Sequence, residues 1–227
     1  MGLFDIFSKK TNEYYLKEGN NFFSEKHYAE AVASYDKAIA INPNYTSAWY
    51  NRGRAFVRLK RFTEVIDSYK KVFATDPNFA EMWFVADDWY NIGHALYELE
   101  RYSEAIDSYD KATAIEKGYT LAWIERGISL NFLGKYSDSL ASLNKAIAIS
   151  ADNAYPTVWN IGKNGMYKER PIGSNEKDVY VWNFHGNALN QLGRHAEAVA
   201  SFNKALAINP NNAHAKEGLE IALKKRT

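Results

Sequence analysis

The feature that most constrains this chain is a short phrase ending in glycine that returns five times. The copies read Tyr15-Leu16-Lys17-Glu18-Gly19, Trp49-Tyr50-Asn51-Arg52-Gly53, Trp89-Tyr90-Asn91-Ile92-Gly93, Trp123-Ile124-Glu125-Arg126-Gly127 and Trp182-Asn183-Phe184-His185-Gly186. Their glycines lie 34, 40, 34 and 59 residues apart, a period of 34 with six residues added in the second interval and 25 in the fourth. A second phrase keeps a fixed distance from each glycine: Tyr28-Ala29-Glu30-Ala31, Phe62-Thr63-Glu64-Val65, Tyr102-Ser103-Glu104-Ala105, Tyr136-Ser137-Asp138-Ser139 and His195-Ala196-Glu197-Ala198. A third spans Ser34 to Ala38, Ser68 to Val72, Ser108 to Ala112, Ser142 to Ala146 and Ser201 to Ala205, with Leu143 in the aromatic place of the fourth copy. Units of this length cannot bury an apolar face alone, so the period demands stacked neighbours.

Each unit reads as two helices. Apolar residues recur at three- and four-residue steps, as in Tyr28, Ala31, Val32, Tyr35, Ala38 and Ile39. A glycine inside the first helix costs about 1 kcal/mol against alanine, so it needs a packing reason, namely close approach of the second helix. Ala31, Ala105 and Ala198 are the small residues expected on the other side of that contact. Pro43, Pro77 and Pro210 close three copies because proline cannot continue a helix, while Lys117 and Ala151 take its place in the other two.

These phrases resemble the tetratricopeptide repeat, a 34-residue helix–turn–helix unit. The resemblance implies an all-α, right-handed superhelical solenoid of five repeats at 12–45, 46–79, 86–119, 120–153 and 179–212, with a capping helix at 213–226. Ala215, Leu219, Ala222 and Leu223 form the cap's apolar stripe, and Lys224, Lys225 and Arg226 suit the negative end of its dipole. Departures at Val65, Val72, Ser139, Lys117 and Ala151 suggest looser packing in the second and fourth repeats. Residues 1–11 read as a short amphipathic segment packing on the first repeat; Gly2 would suit myristoylation, but Ile6 stands where Ser or Thr is required.

The added residues fall at 80–85 and 154–178, both between a second helix and the next first helix. The short insertion has neither Gly nor Pro and is expected to extend the following helix. The long one holds Pro156, Gly162, Gly165, Pro171 and Gly173, so it cannot be one helix, and Asn164-Gly165 could turn a small hairpin. The fourth and fifth repeats should stay in contact across it. Its Trp159 is a candidate contact, either with the solenoid edge or with a partner.

Composition narrows the chemistry. With 28 basic and 27 acidic residues the chain has no net attraction for nucleic acid, and no apolar run is long enough to span a bilayer. Cysteine is absent, which removes thiol chemistry and sulfur-ligated metals and is compatible with a cytoplasmic setting. His27, His94, His185, His195 and His214 show no metal-ligand spacing, and no catalytic triad or phosphate-binding loop is present. Asp87 and Asp88 are expected as solvated charges on different helix faces. The expectation is a non-enzymatic chain needing no metal or cofactor.

The resemblance further implies that the first helices line a concave groove used to bind partner proteins. On that reading the groove residues are Asn20, Tyr50, Asn51, Arg54, Asp87, Tyr90, Asn91, His94, Asn183 and Asn187. Asparagine is a mediocre helix former, and its amide, donor and acceptor together, matches the backbone of an extended peptide. The family's carboxylate clamp for chaperone C-termini is not reproduced: Asn20 and Asn51 fit, but Leu16, Asp87 and Asn91 stand where it requires cations. The expected function is a protein-interaction scaffold holding a partner's peptide segment. The alternative is a structural protein that self-associates through its insertions and N-terminal segment.

Overall fold

The computed structural model describes residues 10–79, 85–152, 160–162, 165–167 and 178–226. Eleven helices run through them: α1 Asn12–Ser24, α2 Tyr28–Ile41, α3 Thr46–Leu59, α4 Phe62–Thr75, α5 Ala86–Glu98, α6 Tyr102–Ile115, α7 Thr120–Phe132, α8 Tyr136–Asp152, α9 Asp178–Gln191, α10 His195–Ile208 and α11 Ala213–Lys225. The architecture is an all-α repeat solenoid. Two short strands, β1 Asn160–Gly162 and β2 Gly165–Tyr167, pair antiparallel inside the long insertion, with Ile161 opposite Met166. The expectations for residues 1–9, for Trp159 and for the turn residue Asn164 fall outside the described residues.

The chain forms two compact units, Met1–Arg101 and Tyr102–Thr227. In the first, α1, α3 and α5 lie side by side and α2 and α4 pack behind them. In the second, α7, α9 and α11 are neighbours, backed by α8 and α10. The core of each is built from small residues with large rings and branched aliphatic side chains between them. Tyr35, Tyr69 and Phe56 are fully buried in the first unit, and Leu143, Leu189 and Val181 in the second.

The helical glycines find their reason in the second helix of the same pair. A Cβ on Gly19 would sit 2.5 Å from Tyr35, on Gly127 2.8 Å from Leu143, and on Gly186 2.8 Å from Phe202. The partner is therefore the large residue sixteen positions on, and the small residues Ala31, Ala105 and Ala198 are buried alongside. A second device joins one pair to the next. Arg52 Nε donates to Asp36 at 2.6 Å and its Nη1 to Ser68 at 2.9 Å; Arg126 makes the same two bonds to Asp110 and Ser142, each at 2.6 Å.

The turns follow local chemistry. Asn42, Asp76 and Asn209 precede the three prolines, and each side-chain oxygen accepts the N–H two residues on, at 3.0–3.1 Å. Trp49 and Trp123 donate their indole N–H to the carbonyls of Pro43 and Lys117, fixing the entry of α3 and α7. Where Ala151 replaces proline α8 runs on to Asp152, whereas α6 ends at Ile115 although Lys117 takes the proline's place there.

Three expectations are corrected. The short insertion does not extend α5: Val85 is extended (φ −100°, ψ 172°), and its N–H is capped by Asp88 at 3.1 Å. Asp88 is not a solvated charge but is buried. Packing is not loose at Val65, Val72 and Ser139, all fully buried; Ser139 donates to the Gly127 carbonyl at 2.7 Å.

Helix α9 resumes directly against α7 and α8 despite the 25 inserted residues. Asn131 donates to the Phe184 carbonyl at 3.0 Å and accepts from Asn187 at 2.8 Å. His185 lies 3.0 Å from Asn144 Oδ1 and 2.9 Å from Ser201 Oγ, the place Arg52 and Arg126 hold elsewhere. Helix α11 closes this unit: Ala215 and Ala222 are buried, and a Cβ on Gly218 would meet Phe202 at 2.4 Å.

Candidate functional site

The residues singled out from sequence fall into two groups. Asn20, Tyr50, Asn51, Arg54, Asp87, Tyr90, Asn91 and His94 belong to the first unit, on α1, α3 and α5. Asn183 and Asn187 belong to the second, on α9.

In the first unit the side chains interlock across three adjacent helices. Asn20 Oδ1 accepts from Tyr35 Oη at 2.9 Å and from Asn51 Nδ2 at 3.0 Å, tying α1 to α3. The Arg54 guanidinium lies over the rings of Phe23 and Tyr50, 5.2 and 5.6 Å from their centroids. Tyr50 donates its hydroxyl to Asp88 Oδ2 at 2.9 Å, tying α3 to α5. Burial holds the Tyr50 phenol well above its usual range, and Asp88 adds to the shift. Burial also raises the Asp88 carboxyl, against the opposing pull of the Val85 N–H, Tyr50 and Arg54.

Helix α5 adds a column of rings. Tyr90 and Tyr97 flank His94 with interplanar angles of 4° and 11°, and Phe62 meets it edge-on at 5.9 Å. Beside them Asn91 is half-buried, and its side chain makes no hydrogen bond to a described residue. Asp87 is half-buried one turn before. Burial lowers the His94 pKa, with Glu98 pulling it up and Lys60 adding to the fall, so the ring is neutral near pH 7.

In the second unit the asparagines are committed to joints between helices. Asn183 is buried and donates to Asn212 at 2.9 Å, and Asn187 donates to Asn131. Asn190 donates to the Gly218 carbonyl at 3.1 Å. These bonds account for asparagine inside a helix without a ligand. An aromatic cluster lies here: exposed Phe132 stacks on half-buried Tyr102 at 4.8 Å and meets half-buried Phe184 at 5.6 Å. Phe23 and Tyr97, which the family resemblance placed on the inner face of their first helices, join the first group. Sequence reasoning missed Asp88, which it took for a solvated charge.

Among the described residues no group of His, Asp or Glu side chains could hold a metal ion, and no helix is long and apolar enough to cross a membrane.

Comparison with known proteins accords with this geometry. A TPR-repeat family model matches residues 19–60, and tetratricopeptide-repeat models match 46–79, 86–119 and 179–212. No curated protein sequence matches the chain. The chain is similar in structure to YrrB, described as a TPR protein with an unusual peptide-binding site: TM-score 0.71, 18% identity, 94% of each chain covered. It is likewise similar to MamA, with TM-score 0.64 and 20% identity over 90% of this chain and 94% of that one. For MamA of Desulfovibrio magneticus RS-1 the TM-score is 0.62, with 14% identity over 89% of this chain and 97% of that one. At such identities the likeness is one of fold. With matched segments spanning more than half of its residues and a stacked helix-pair architecture, the chain belongs to the tetratricopeptide repeat family.

Proposed function

We propose that this chain is a protein-interaction scaffold that holds an extended peptide segment of a partner along α1, α3 and α5. The observation that carries the reading is the surface of the first unit. The Asn20–Asn51 pair, the Asn91 amide and the Arg54 guanidinium, held over two rings, lie on three adjacent helices. Amides alternate donor and acceptor as a peptide backbone does, and side chains already fixed by neighbours lose little entropy on binding. The peptide-binding site named for YrrB supports the same use of this fold. Asn183 and Asn187 are left out of the proposed surface, because their amides already serve joints with Asn212 and Asn131.

The test is a random peptide-display selection on the purified full chain, followed by affinity measurement with the synthesised peptide. Asn51→Ala combined with Asn91→Ala is expected to weaken binding about thirtyfold, as two hydrogen bonds of roughly 1 kcal/mol each are lost. The melting temperature should fall by a few degrees at most, since only the Asn20 contact joins helices. Unchanged affinity in the double variant would remove this surface from the binding site. Concentration-dependent sedimentation without added peptide would instead point to self-association.

A further inference from the structure

We infer that His94 is held as its neutral Nε2–H tautomer and donates that proton to a carbonyl oxygen of the bound segment, beside the Asn91 amide. The inference rests on the peptide-binding reading of α1, α3 and α5 and assigns one residue within it.

Three observations lead there. First, the ring is bordered by aromatics on three sides: Tyr90 and Tyr97 lie parallel to it at centroid distances of 6.1 and 6.5 Å, and Phe62 stands edge-on at 5.9 Å. Second, the two ring nitrogens differ. Nδ1 is buried with no hydrogen-bond partner. Unpaired in either tautomer, Nδ1 does not itself choose between them. The choice falls to Nε2, where the Glu98 carboxylate, with Oε1 3.8 Å away and beyond hydrogen-bond range, favours a proton over a lone pair. The neutral ring therefore carries its proton on Nε2. Third, the side chain is 37% exposed although Nδ1 is buried, so solvent reaches the ring away from that nitrogen.

The consequence is a choice of ligand atom. Asn91 and His94 stand three residues apart on one helix and so project as neighbours. Both offer an uncharged N–H. The Glu98 carboxylate beside Nε2 disfavours an anionic acceptor, so this pair suits a neutral carbonyl of the peptide backbone rather than a terminal carboxylate. Rings on three sides also restrict the orientations the imidazole can take before binding.

Two measurements on the full chain test this. The 15N spectrum of the histidine ring at neutral pH is expected to show Nδ1 unprotonated at His94; a proton on Nδ1 overturns the inference. The display-selected peptide is then titrated against His94→Phe, which keeps the ring stack but has no donor, and His94→Gln, whose amide nitrogen can stand in for Nε2. His94→Phe is expected to cut affinity about tenfold and His94→Gln to recover most of it. If both bind like the wild type while the Asn51/Asn91 double variant is weakened, His94 is no ligand contact and the surface assignment stands. If all three bind like the wild type, both readings fall together.

Discussion

At the level of single residues, one backbone conformation recurs at the turn inside each helix pair. Lys26, Lys60, Glu100, Gly134 and Gly193 all have positive φ, between 55° and 75°. Each stands at the same place in its unit, seven residues beyond the glycine of the first helix. A left-handed residue costs roughly 1–2 kcal/mol when it bears a Cβ and little when it is glycine. Two copies use glycine and three bear the strain. Lys26→Gly, on an exposed turn, is therefore expected to stabilise the chain by up to about 1 kcal/mol, partly offset by the entropy glycine loses on folding. Thermal unfolding measures this, and a lower melting temperature for the variant would show that the turn gains nothing from a left-handed residue without a side chain. The signal was in the sequence, since Gly134 and Gly193 mark the position. It is masked in the other copies because a helical pair tolerates a small local penalty.

At the level of elements, the joints between successive pairs are built to one plan with different chemistry. Charged Arg52 and Arg126 each bridge an Asp and a Ser. His185 fills that place between α8, α9 and α10 with Asn144 opposite, so the joint has no ion pair. Burial pushes its pKa down to about 4, with Lys204 and Arg194 adding to the fall and Glu197 opposing it. The sign follows. The unfolded chain, with an ordinary histidine near pKa 6.5, binds a proton between about pH 6.5 and 4 that the folded chain refuses. This joint's contribution is complete above about pH 6.5 and is lost as pH falls toward 4. His185→Gln lacks the titration, so the gap in melting temperature between wild type and variant is expected to narrow over that window. A gap independent of pH would show that His185 does not titrate differently in the two states. The histidine itself was plain in the sequence, but its role was not: Asn144 and Ser201 lie 41 and 16 residues away and meet it only after the helices stack.

At the level of the whole molecule, an insertion between stacked units must leave and rejoin at nearly the same place if the shared face is to stay buried. In the second unit it does. Leu140 of α8 shares a core with Val179 and Trp182 of α9 and with Phe202 of α10. Replacing residues 153–177 by a short Gly/Ser linker is expected to preserve that core and a single cooperative transition in the second unit, because closing a loop of this length costs little more than closing a short one. A separate early transition for α9–α11, seen by calorimetry, would mean that the insertion itself holds the joint. What the sequence determined alone is the periodic part: helices at three- and four-residue spacing, a packing glycine in each first helix, proline at three unit ends and a polar last helix. Those features are local or repeat at fixed intervals, so one copy interprets the next. What only the tertiary structure decided is the partner of each side chain. Asp88 looks like any surface carboxylate beside Asp87, yet Tyr50, thirty-eight residues earlier, and the Val85 N–H bury and bind it. The asparagines of the second unit read as ligand contacts but are taken up by neighbouring helices, because a helix face has no fixed meaning until stacking determines whether a helix or solvent stands opposite it.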